Sequence, residues 1–173
     1  MARTSALALV LLAAAACKPA HDTSPPQPAA PGQPETPSRH ANGEQLDANV
    51  PLASGDVLAL AELRGKVVLL ELSDAGHRRA DVLADYARLV EAHGERLAIV
   101  VVSLDAAGWD SSAAVYELGW DPDGALAAKL HAAALPTVLV LDRDGRVAYQ
   151  YGGSEDGAHA QAIATLEKLL GKR

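Results

Sequence analysis

Two apolar runs, Val67-Val68-Leu69-Leu70 with its flanks (66–72) and Leu97-Ala98-Ile99-Val100-Val101-Val102, are short, continuous and rich in β-branched residues. Such runs predict central strands covered on both faces. Between them Val82, Leu83, Tyr86, Leu89 and Val90 recur at helical spacing, and Gly94 stands where a helix C-cap is expected. Strand, helix and strand form a βαβ unit, so the two strands are predicted to be parallel with a right-handed crossover. Ahead of this unit, Ser54-Gly55-Asp56 separates two short apolar stretches and predicts a hairpin. Behind it, Asp121-Pro122-Asp123 reads as an N-cap, a first-turn proline and a first-turn acid, opening a short helix to about His131. Residues 136–141 predict a strand, 142–145 a turn and 146–151 a returning antiparallel strand. Ala162, Ile163, Leu166, Leu169 and Leu170 predict a last helix closed by Gly171. The order is hairpin, strand, helix, strand, an irregular or helical stretch, helix, strand, strand, helix. It implies an α/β domain with a mixed sheet between helices over residues 46–173.

The pattern changes upstream of residue 46. Arg3 precedes eleven uninterrupted apolar residues, Ala6 to Ala16. A bilayer-spanning helix needs about 20, whereas a signal-peptide core is this short, so residues 1–16 are predicted to be a secretory leader. The run ends in Ala14-Ala15-Ala16-Cys17, and small residues before a cysteine resemble a bacterial lipobox. That pattern usually has Leu where Ala14 stands. The expectation is lipidation at Cys17, an extracytoplasmic chain on the periplasmic side, and attachment to a bacterial membrane. Plain cleavage and secretion is the alternative. Residues 17–45 follow, with seven of the ten prolines between Pro19 and Pro37 and no apolar period. Such a stretch cannot bury enough surface to offset its ordering entropy and predicts a semi-extended linker.

The composition narrows the chemistry. The 173 residues carry a net charge of −7, which argues against nucleic acid as a partner because phosphate neutralisation needs clustered Lys and Arg. A single Cys excludes an intramolecular disulfide and any zinc site built on two thiolates. Asp142-Arg143-Asp144-Gly145 lacks the further oxygen ligands and terminal Glu of a calcium loop, and reads as a hairpin turn. No phosphate-binding Gly-rich loop, nucleophile elbow or zinc-protease helix occurs. No cofactor is expected.

The element order, taken with Leu60-Ala61-Glu62-Leu63-Arg64-Gly65-Lys66-Val67-Val68-Leu69, Val102-Ser103-Leu104-Asp105, Leu135-Pro136-Thr137 and Leu141-Asp142-Arg143-Asp144-Gly145-Arg146-Val147, resembles the thioredoxin fold. It is most similar to the membrane-tethered redoxin branch: TlpA-like and ResA-like thiol–disulfide proteins related to the AhpC/TSA redoxins. The resemblance spans about residues 50–171 and is weakest from Asp105 to Gly119. It implies a thioredoxin-like three-layer α/β/α domain with a central mixed sheet and an N-terminal β-hairpin. It also implies a cis Pro136 facing the active-site loop, where Leu135, Pro136 and Thr137 would hold an extended peptide by strand-like hydrogen bonds.

One departure governs the functional reading. The family's Trp-Cys-x-x-Cys motif falls on Ser73-Asp74-Ala75-Gly76-His77-Arg78-Arg79-Ala80, with His77 and Ala80 at the two cysteine positions. Dithiol exchange needs one thiolate to attack and a second to resolve. Neither sulfur is present, and Cys17 lies sixty residues upstream beyond a linker. His77 could act as an acid–base group, a ligand or a partner contact, or be an exposed replacement without a task. His93, His131 and His159 show no ligand spacing with it and read as exposed helix positions, so no metal is expected. Arg78 and Arg79 read as a solvated helix face, or else a small basic patch. Trp109, Tyr116 and Trp120 suit core packing or a partner-binding patch.

Two functions follow. One is a tethered, non-catalytic thioredoxin-like module that docks a protein or peptide partner. The alternative is a redoxin-family enzyme of altered chemistry, centred on His77 or dependent on partner thiols.

Overall fold

Strand β3, Val67–Ser73, is buried along its whole length. Its period-2 alternation sends Val68, Leu70 and Leu72 into one core and Val67 and Leu69 into another. This explains its continuous apolar text. The computed structural model describes residues 39–109, 114–154 and 156–171, which fall in the unit Glu35–Arg173. The leader, Cys17 and the linker as far as residue 38 lie outside the described residues.

A five-stranded sheet has the order β5 (Glu117–Trp120), β4 (Leu97–Ser103), β3, β6 (Thr137–Leu141), β7 (Val147–Gly152). Strand β4, Leu97–Ser103, runs parallel to β3 with Val67 beside Leu97, as the βαβ reading requires. Helix α1, Ala80–His93, makes the crossover and ends on Gly94, whose N–H bonds the Val90 carbonyl. Strands β6, Thr137–Leu141, and β7, Val147–Gly152, add antiparallel on the other side of β3. The two-stranded hairpin β1, Asn49–Pro51, and β2, Val57–Ala59, packs with the short helix α2 over the face carrying Leu70 and Leu139. Helix α1 and the last helix α3, Ala158–Gly171, cover the opposite face. The result is the expected three-layer α/β/α domain.

Three details differ from the sequence reading. The stretch before α2 contains a further strand, β5, Glu117–Trp120, parallel to β4 at the sheet edge. Helix α2 is only Ala125–Lys129. Pro122, Asp123 and Gly124 form a turn instead of its first turn, and Gly124 takes a left-handed φ of 68°. Asp121 still performs a capping role from outside the helix, because its buried carboxylate accepts the Ala127 N–H at 2.9 Å. The helix stops before His131, which has a φ of 53° and is no helix position. Among the described residues α3 runs to Gly171, the residue at which the sequence reading closes it.

Residues 43–46 lie beside the sheet edge. Gly43 N–H bonds the Val147 carbonyl at 2.7 Å, Val147 N–H the Glu44 carbonyl at 2.8 Å, and Leu46 N–H the Gly145 carbonyl at 3.0 Å. Leu46 and Ala48 are core residues. Among the described residues no helix is long and apolar enough to cross a membrane.

Candidate functional site

Between β3 and α1 the chain turns through Asp74 to Arg79. The Asp74 carboxylate accepts the His77 N–H at 2.9 Å and sits 2.7 Å from the His77 ring Nδ1. This side-chain bond, foremost, holds the Asp74 carboxyl below its usual range, against the effect of burial. Ala80 opens α1 and is exposed. So the two positions aligned with cysteines fall in the turn and at the helix start, and neither has a thiol.

Arg78 and Arg79 separate. Arg79 pairs with Asp81 in the solvent. Arg78 turns inward, contrary to the expected solvated face. Its guanidinium donates to Asp105 Oδ2 at 2.5 Å and Ser103 Oγ at 2.9 Å, and lies 4.0 Å over the Trp109 ring. Charge, hydrogen bonds and cation–π contact together fasten this turn to the end of β4. Trp109 itself donates to the Gly119 carbonyl at 2.6 Å and packs with Tyr116 against the α1/α3 core. Trp120 does not join that core. It is 38% exposed and donates to the Asp105 carbonyl at 2.8 Å. The aromatic trio thus divides, two residues in packing and one at the surface.

Facing the turn is the Leu135–Pro136 peptide bond, which is cis as the resemblance implied. The Pro136 carbonyl accepts the Gly153 N–H at 2.9 Å. Thr137 is buried, with its hydroxyl donating to the Ala134 carbonyl at 2.6 Å. His77 and Pro136 line one cleft of about 300 Å³.

The floor of this cleft includes Glu71, which sequence reasoning did not single out. Glu71 lies in β3 on the face that sends Val67 and Leu69 toward α1 and α3, and is 3% exposed. Tyr86 of α1, fully buried, donates its hydroxyl to Glu71 Oε2 at 2.5 Å. Burial pushes the Glu71 carboxyl above its ordinary value, while the Tyr86 bond opposes the rise. Burial and the neighbouring Glu71 charge push the Tyr86 hydroxyl up in turn. Tyr151 of β7 also lines the cleft and is shifted upward, first by burial.

His159 is the third missed member. It was read as an exposed helix residue, but it is half-buried in α3, lies 5.8 Å from the Tyr86 ring and lines the cleft. Burial pushes its imidazole down, toward the neutral form. His93 and His131 do not line this cleft. His93 Nε2 lies 3.2 Å from Glu167, and the His131 ring lies 4.8 Å from that of His40. Among the described residues no three His, Cys, Asp or Glu are arranged to hold a metal. The cleft therefore gathers a buried carboxyl, the Tyr151 phenol, two imidazoles and the Pro136 loop. These groups can hydrogen-bond, carry charge and exchange protons.

No protein-family model matches the chain, and no curated protein matches it. Solved structures do. A protein assigned as the thiol:disulfide interchange protein DsbE of Chlorobium tepidum superposes with a TM-score of 0.62 at 21% identity, over 78% of this chain and 100% of the other. The pneumococcal exposed lipoprotein thioredoxin Etrx1 of Streptococcus pneumoniae gives 0.54 at 19% identity, over 72% and 100%. Peroxidoxin BcpB of Mycobacterium tuberculosis gives 0.58 at 22% identity, over 74% and 97%. The likeness, with the sheet order and the cis-proline loop, defines this domain as a thioredoxin-like fold.

Proposed function

We propose that this chain is a tethered thioredoxin-fold module that docks an extended peptide segment of a partner protein and performs no thiol exchange by itself. The observation that carries the reading is a cleft lined by His77 and Pro136 that has no sulfur. Leu135 precedes the cis bond, where its backbone can extend a strand-like pairing to an incoming chain. The turn opposite is fastened by Arg78 and Asp105, so that wall of the cleft is ordered before the partner arrives and less entropy is lost on binding. Lipidation at Cys17 would hold the module at the periplasmic side of a bacterial membrane. Support for that placement comes from the Ala14-Ala15-Ala16-Cys17 text and from the fold neighbour described as an exposed lipoprotein.

The test has two arms on the full chain. Insulin reduction with dithiothreitol as electron donor should not exceed the buffer rate. Titration of a capped Ala/Thr hexapeptide into isotopically labelled protein should shift the Leu135, Thr137 and His77 amides, and Pro136→Ala should weaken the effect. Turnover above buffer overturns the non-catalytic part. Absence of peptide-induced shifts overturns docking. The other reading, an enzyme of altered chemistry, draws support from the His77–Asp74 pair, since a carboxylate that orients an imidazole is a common acid–base arrangement.

A further inference from the structure

The strongest unexplained feature is the carboxyl at the cleft floor. On the α1/α3 face of the sheet, Val67, Leu69, Ile99, Val101, Val138 and Val140 are all apolar and buried. Glu71 interrupts that face. An ionised carboxylate buried without a partner is strongly disfavoured. Yet the ion pairs among the described residues that involve neighbouring cations leave Glu71 out. Arg78 is bound to Asp105, Arg79 to Asp81, and His77 to Asp74. A neutral hydroxyl, that of Tyr86 in α1, donates to Glu71 Oε2. The carboxyl also lines the cleft, so a further partner can approach from there.

We propose that this cleft takes a cationic side chain, lysine or arginine, of the docked peptide, with Glu71 as its counter-charge. The inference rests on the docking reading and names the residue type that reading leaves open. Three observations support it. The lining adds a second acid, Asp156, while its one guanidinium, Arg79, is already neutralised by Asp81. An acidic side chain would meet two carboxylates there, so the charge pattern also selects against it. The walls include Val82, Pro136 and Tyr151, apolar surface of the kind that the alkyl stem of a lysine or arginine covers while its head reaches a charge. The volume, about 300 Å³, admits one such side chain.

Three capped hexapeptides of the same Ala/Thr sequence, differing only in a central lysine, norleucine or glutamate, test this on the full chain by calorimetry or amide titration. The lysine peptide should bind at least about tenfold tighter than the norleucine peptide, which corresponds to 1.4 kcal/mol. The glutamate peptide should bind weakest. Glu71→Gln should abolish the lysine preference. Because Glu71 packs against Tyr86, Asp156→Asn at the cleft lining serves as a second variant and should reduce the preference by about threefold. Equal binding of lysine and norleucine, or a lysine preference that survives Glu71→Gln, overturns the inference. If all three peptides bind alike and Pro136→Ala weakens all three, docking stands and charge selection falls. If none binds, both fall.

Discussion

Glu71 is the residue at which fold and chemistry pull apart. Its neighbours in β3 are the apolar residues a central strand needs, and packing would favour another of them. The groups facing it are Tyr86 of α1, Arg78 before α1, Tyr116 before β5, Tyr151 of β7 and His159 of α3. Its ordinary carboxyl value is 4.5, and burial raises it in the folded chain. The folded state therefore holds a proton that the unfolded state has released once pH exceeds about 4.5. The stability linked to that proton is complete below this pH and is lost as pH rises through the folded value. In urea unfolding across pH 4 to 9, Glu71→Gln should gain on the wild type as pH rises. Tyr86→Phe removes a bond that favours the carboxylate, and should move the loss window to higher pH. A stability difference between Glu71→Gln and wild type that stays flat over this range would show that Glu71 does not titrate abnormally.

At the scale of elements, long or doubly buried segments were legible and short edge segments were not. β3, β4, α1, β6, β7 and α3 each show a period or run that survives their surroundings. β5 is four residues, Glu117-Leu118-Gly119-Trp120, with a charge, a glycine and one buried position, so nothing in its text separates it from a loop. What makes it a strand is tertiary: β4 on one side, and on the other Leu52 bridging Gly119 and Ala53 N–H bonding the Leu118 carbonyl. The site divides the same way. His77 and Pro136 were found by position relative to strong elements. Glu71 left a visible sign, an acid within an apolar run, whose meaning depends on Tyr86 fifteen residues away. His159 left none, since its burial comes from packing of α3 against α1. Gly119 tests the account of β5. A Cβ there would stand 2.8 Å from Val102 Cγ2, 3.1 Å from Val50 Cγ1 and 3.2 Å from the Pro51 carbonyl. Gly119→Ala must spread β4, β5 and the hairpin, and should cost about 1–3 kcal/mol in chemical denaturation. A loss below about 0.5 kcal/mol, the ordinary surface range, would mean that the edge is looser than this packing implies.

For the whole molecule, the scaffold is a thioredoxin-like fold, while the cleft beside its Pro136 loop presents a buried carboxyl, two imidazoles and no sulfur. Activity of the usual kind would require a sulfur, and the one available is Cys17, at the far end of the proline-rich stretch. That position suits attachment better than catalysis. A chain of net charge −7 gains little from anionic lipid, so the proposed membrane residence would rest on acyl chains. Each buried methylene contributes about 0.8 kcal/mol, and stable anchoring takes more than one chain, as a multiply acylated cysteine would supply. In cells fed labelled palmitate, the wild type should carry label and sediment with membranes at high salt. Cys17→Ser should lose both the label and the sedimentation, while its cis-Pro136 domain keeps the peptide binding of the wild type. Label on both proteins would overturn lipidation at Cys17. An unlabelled wild type released as freely as Cys17→Ser would instead favour plain cleavage and secretion. Retained peptide binding in the released variant would show that the tether sets where the cleft meets its partner and leaves its affinity unchanged.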